Sequence, residues 1–222
     1  MIELPPDFRA RFRPAIPHEI RSWSFGALNA TRPPGAEPKQ HDRHTLSDQC
    51  IFGPLRNFEC ACGKFRGSQY GNMICDRCGV KITTIDVRRQ RFGHIELPVT
   101  LRHPLGESSD ALDAFPVVPA AFFESAAGGP LADEYDALIT ACSRRDVVAI
   151  DQGVNRIVGL LLPIVLESHR WSLGDAPVLA RGIGLELREP RGDGDRLCET
   201  CGYPLTGLTV DKCPGCGRPL SG

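Results

Sequence analysis

Apolar residues recur at three- and four-residue steps from Leu131 onward. Leu131, Tyr135, Leu138, Ile139 and Cys142 share one face of a predicted helix, opposite Asp133, Asp136 and Arg144. A second helix is expected after Arg145, with Asp146 at or near its N-terminus. It carries Val147, Val148, Ile150, Val154, Ile157 and Leu161 towards Leu166, with Pro163 placed to kink it. Two such helices predict a core-forming hairpin. Upstream the period changes. VKITTIDV, residues 80–87, is β-branched and alternating and predicts a strand, and a second apolar strand-like stretch ends at Leu97. The run EIRSWSFG, residues 19–26, predicts a short helical turn that stops at its glycine, with Trp23 and Phe25 as anchors into a small core. Residues 1–18 read as an irregular arm, 29–44 as a loop, 182–190 as a region with a short strand and 191–196 as a linker.

Composition changes this picture little. At 222 residues the chain suits one or two domains, and its formal charge of −1 offers no global field for nucleic acid or membrane. Any polyanion must be met by a local patch. The N-terminus lacks an apolar stretch of signal-peptide length. The apolar run Ile157–Leu166, broken by Gly159 and Pro163, is too short to cross a bilayer. A cytoplasmic protein is expected.

Cysteine changes it more. Eight of ten cysteines fall into two tetrads, leaving Cys50 and Cys142. That arrangement argues against a disulfide framework and for a reducing compartment. Cys60, Cys62, Cys75 and Cys78 form a C-x-C and a C-x-x-C pair, with Gly63 and Gly79 directly after them. Two sulfurs from each turn can close a tetrahedron around Zn2+, which binds thiolates tightly and imposes no geometry of its own. Cys198, Cys201, Cys213 and Cys216 repeat the scheme with zinc-ribbon spacing, followed by Gly202 and Gly217. Two structural zinc sites are expected. Four thiolates each leave no open position for a catalytic water.

The segments EIRSWSFG, IFGP, FECACGKF, ICDRCGV and VRRQRFGHIEL, in that order, resemble the N-terminal zinc-binding region of the bacterial DNA-directed RNA polymerase β′ subunit, over about residues 19–97. The resemblance implies that the first tetrad ligates zinc. It also implies a role in transcription, with DNA or nascent RNA and other polymerase subunits as partners. The sequence departs from the family between Ala27 and Leu46 and again from Pro98, with a weaker echo at Phe115–Pro119. The C-terminal tetrad is similar to the small zinc ribbons appended to many bacterial proteins, which fixes no function.

The family's chemistry is nucleotidyl transfer by clustered aspartates holding two Mg2+ ions. Its asparagine-alanine-aspartate-phenylalanine-aspartate-glycine-aspartate motif is missing here, and Asp193-Gly194-Asp195 is a two-carboxylate echo in a linker. No phosphate-cradling glycine loop or H-E-x-x-H occurs either. The chain is therefore not expected to catalyse alone. What remains is a surface. Arg56, Lys64, Arg66, Arg77, Lys81, Arg88, Arg89 and Arg91 face only Glu59, Asp76 and Asp86 around the first tetrad, an excess of five positive charges. Lys64, Arg66, Lys81, Arg88, Arg89 and Arg91 are the candidate nucleic-acid contacts. Each phosphate contact adds roughly −0.9 to the salt slope on duplex DNA and about −0.7 on single strands. Phe58, Phe65, Tyr70 and Phe92 either stack on bases or complete a small core, and the arginines either meet phosphates or pair with neighbouring subunits.

The expected fold is α+β, small and irregular: a zinc-stabilised, β-rich module over 1–100, a mostly helical middle over 101–190 and a zinc ribbon over 191–222. Beside a polymerase component stands a second reading, a zinc-ribbon adaptor that binds nucleic acid or docks on the polymerase without being a subunit.

Overall fold

A computed structural model describes residues 12–31, 42–106, 110–124, 129–170 and 176–187. The second tetrad, Cys198, Cys201, Cys213 and Cys216, lies outside the described residues. In chain order the elements are β1 (Phe12–Pro14), α1 (Pro17–Trp23), β2 (Ser24–Ala27), α2 (Gln49–Phe52), β3 (Phe92–Arg102), β4 (Ala111–Val117), α3 (Ala120–Phe123), α4 (Gly129–Arg144), α5 (Val147–Arg170), α6 (Ala176–Gly182) and β5 (Leu185–Leu187). Short 3-10 turns occupy Ser68–Tyr70 and Ile85–Arg89. The fold is α+β, as the sequence pattern predicts.

Helix α1 begins where chemistry favours it. Pro17 needs no N–H partner in the first turn, and the Glu19 carboxylate accepts the Ile16 N–H at 2.9 Å. The chain then turns directly into β2, so the expected helical stop at Gly26 gives way to a strand. β2 pairs in parallel with β3, which pairs antiparallel with β4; a second, two-stranded sheet joins β1 to β5. β3 runs unbroken across residue 100.

The residues of two sequence motifs bond to each other. His94 of β3 meets the Ser24 hydroxyl at 2.7 Å and Glu96 at 3.0 Å, while Arg21 forks onto Glu96 at 2.6 and 2.9 Å. Gly93 leaves room beside them. A Cβ there would lie 2.3 Å from Leu28 Cδ1 and 3.2 Å from Phe52 Cζ.

Helices α4 and α5 form the predicted hairpin. Leu131, Tyr135, Leu138 and Ile139 of α4 and Ile150, Val154, Ile157, Leu161 and Val165 of α5 are buried in one core with Phe52, Phe115, Val117 and Leu185. The Tyr135 hydroxyl accepts the Val118 N–H at 3.3 Å, and burial pushes its pKa above the usual phenol range. Asp146 caps α5 by accepting the Ala149 N–H at 3.1 Å. Helix α5 passes through Pro163 and reaches Arg170, so it is longer than the apolar run suggests. By length and composition it could cross a membrane. Here its inner face packs on α4 and the sheet.

Two further expectations fail. Residues 80–87 are not a strand: a single bridge joins Ile74 to Lys81, and the chain then coils into the turn at Ile85. Val80 and Ile82 point into the metal module, which absorbs their β-branched side chains without a ladder. Phe25 is not a core anchor but 57% exposed, because β2 turns it away from the core that receives Trp23.

Candidate metal centre and the basic face around it

A second, smaller cluster holds the first tetrad. Cys60, Ala61, Cys75, Cys78, Val80 and Ile82 are buried together, with Cys50, Phe58, Cys62, Phe65 and Tyr70 packed against them. Each half is a tight turn. The Gly63 N–H donates to the Cys60 carbonyl at 3.0 Å, and the Gly79 N–H to the Cys75 carbonyl at 2.7 Å. Both glycines have positive φ, 72° and 75°, where a side chain would be strained. The Phe65 N–H reaches the Cys60 sulfur at 3.3 Å. Such donors orient thiolates and offset their charge.

The four sulfurs lie within 4.8 Å of one another, with Cys60–Cys62 and Cys62–Cys75 both at 3.6 Å. Zinc–sulfur bonds of about 2.3 Å place tetrahedral sulfurs about 3.8 Å apart. The residues therefore fit one zinc ion. Their protonation leans the same way at Cys75. Burial opposes ionisation there, yet the N–H groups of Cys78 and Arg77 and the thiols of Cys78 and Cys62 bring it down to about 7. At Cys60 burial prevails and the thiol is pushed up.

Sequence reasoning missed the support behind the second turn. The Arg43 guanidinium donates to the Cys78 carbonyl at 3.2 Å and to the Cys50 sulfur, and the Cys50 thiol donates to the same carbonyl at 3.3 Å. Burial first, and then the Asp48 charge, push the Cys50 thiol up to about 11. The leftover cysteine is a neutral brace. Only its place just before IFGP could have hinted at this.

The basic residues divide. Lys64 bridges to Asp76 across the two turns at 2.7 Å, and Arg66 pairs with Glu59 at 3.2 Å, while both arginine and lysine stay exposed. Arg56 is also exposed, 3.8 Å from Glu59, and it lines with Arg66 a cleft of about 200 Å³ beside Cys60 and Cys62. Lys81 and Arg89 are exposed and carry no ion pair among the described residues. Arg88 and Arg91 are buried, which corrects their expected place on the face. Arg88 donates to the Gly53 carbonyl at 2.6 Å and forks onto Glu124 of the segment after α3. The aromatics resolve as packing: Phe65 and Tyr70 rings sit 5.1 Å apart against the metal cluster, and Phe92 is buried beside Trp23.

No family model matches the chain. Over 89 residues, 40% of its length, it is 44% identical to DNA-directed RNA polymerase subunit β′ of Lactobacillus delbrueckii subsp. bulgaricus. It is 43% identical over the same extent to β′ of Streptococcus mutans and of Lactobacillus gasseri. The chain spans about 7% of the length of these curated relatives. In that stretch, with its four-cysteine cluster, the chain is homologous to bacterial RNA polymerase β′ subunits.

Proposed function

We propose that this chain is a β′-like zinc-binding protein of DNA-templated transcription, acting in the cytoplasm through contacts to nucleic acid and to polymerase subunits. The observation that carries the reading is the 44% identity to β′ together with four sulfurs gathered at zinc-binding distance. Zn2+ held by Cys60, Cys62, Cys75 and Cys78 supplies structure, not catalysis. A second zinc is assigned to Cys198, Cys201, Cys213 and Cys216 on spacing alone. The chain lacks the aspartate motif for nucleotidyl transfer and contributes binding surface. Phosphate contacts fall to the exposed Lys64, Arg66, Lys81 and Arg89, with Arg56 beside them.

Affinity purification from the native cell tests the reading. Stoichiometric recovery with the large polymerase subunits is expected. Salt-labile, substoichiometric recovery would instead assign the chain to the adaptor class, and retention of neither polymerase nor nucleic acid at low salt would remove both. Elemental analysis of fresh reduced protein should return about two zinc ions per chain. One ion would leave the second tetrad without its assigned role.

A further inference from the structure

Two buried arginines lie one turn apart, and only one of them is answered. Arg88 is 6% exposed and has both Glu124 and the Gly53 carbonyl. Arg91 is 8% exposed, and its guanidinium has neither hydrogen bond nor ion pair among the described residues. Its guanidinium lies over the Phe25 ring, 4.8 Å from the centroid. Burial alone pushes its pKa down, with no carboxylate acting the other way. A ring face offsets only part of what a guanidinium loses on leaving water.

The site is not sealed. Among the described residues, no Arg91 nitrogen is among the fully enclosed side-chain atoms that lack a hydrogen bond, so its unpaired nitrogens keep a path to solvent. Phe25, 57% exposed, stands against it. An aromatic ring left in water and a cation left without an anion are both unfavourable in the free chain. One occupant relieves both.

We propose that Arg91 and Phe25 form a docking point for an acidic segment of a protein partner, whose Asp or Glu carboxylate enters beside the ring to meet the guanidinium. A carboxylate on a slim side chain reaches a recessed guanidinium and matches its fork. A phosphodiester carries sugars on both sides and suits exposed cations, such as Arg56 and Arg66 at 77% and 69% side-chain exposure. Aromatic and arginine side chains together are also the usual centre of a protein–protein contact. The inference goes beyond the polymerase reading and does not depend on it.

The test is thermal melting of the full, zinc-loaded chain at low salt, as wild type, Arg91→Met and Phe25→Ala. The probes are a hexaglutamate peptide and a six-nucleotide oligo-dT. Without a probe, Arg91→Met should melt above wild type, because it removes an unanswered charge. Hexaglutamate should raise the melting temperature of wild type, with at least tenfold weaker binding in Arg91→Met and a reduced shift in Phe25→Ala. The exposed position of Phe25 keeps that second variant folded. The proposal is overturned if hexaglutamate shifts wild type and Arg91→Met equally or shifts neither. It is equally overturned if Arg91→Met melts below wild type, or if the Arg91-dependent shift comes from oligo-dT instead.

Discussion

The main core and the metal module hold their shapes by different means. The main core draws buried side chains from Phe12 to Leu185 and closes around Phe115, Tyr135 and Leu138, each without exposed surface. At about 25 cal/mol per Å² of apolar burial, many such residues can offset the entropy of ordering a chain. The metal module buries six residues, three of them cysteines. That is too little apolar area to stand by packing, so on the zinc reading its order rests on sulfur and an ion. Elements of a packed core can lose one residue and persist. A four-ligand site loses its geometry with one.

Breaking the smaller side should have the largest effect. Structural zinc sites contribute roughly 10–16 kcal/mol in isolated finger peptides. Cys75→Ser, or chelation of the wild type, should abolish amide protection over residues 58–83 while α4 and α5 stay protected, as read by hydrogen exchange. If the module stays protected with chelator present and all four thiols replaced by serine, the contrast is wrong. On the other side, Phe115→Ala should cost about 3–5 kcal/mol in chemical denaturation, with zinc still bound one-to-one at the first tetrad. Between the two lies Arg88, which ties the turn after the module to Gly53 and Glu124. Arg88→Met should cost about 1–3 kcal/mol and raise exchange in both regions at once.

Acid provides a milder cut through the main core. His103 is buried, accepts the Leu105 N–H at Nδ1 (3.1 Å) and donates from Nε2 to the Ile183 carbonyl (2.9 Å). Burial first of all holds its pKa below the ordinary value. The unfolded chain therefore takes up the proton earlier than the folded one. Stability from this site is complete above pH of about 6.5 and is lost as pH falls from there towards the folded pKa. Denaturant midpoints measured from pH 7.5 downward should show the decline, and His103→Gln should flatten it. The smallest effect belongs to the partly exposed Arg21–Glu96 pair, 37% and 49% side-chain exposed. Arg21→Ala should change stability by less than about 1 kcal/mol in the same assay.

Legibility followed the same division. The first tetrad and the hairpin of α4 and α5 were readable because each repeats a spacing set by geometry, sulfur pairs in one case and the helical turn in the other. Residues 80–87 were misread because alternation reports only that side chains face two ways. Val80 and Ile82 face the metal module, and their backbone bonds only the turn at residues 72–75 through one isolated bridge, not a strand ladder. Arg88 and Arg91 were misplaced because a run of like charge cannot reveal which members fold inward to Gly53 or Phe25. The brace of Arg43 and Cys50 on Cys78 was invisible, since its parts are separated by the whole of the first turn.

The parallel pairing of β2 with β3 sets an order of events during synthesis. Ser24 finds Phe92, and Ala27 finds His94, only after residues 28 to 91 have left the ribosome. Throughout that interval β2 has no ladder, whereas Cys60 to Cys78 emerge before β3 and can gather around an ion. On the zinc reading, metal captured by the nascent chain lets the sheet close on a module already in shape.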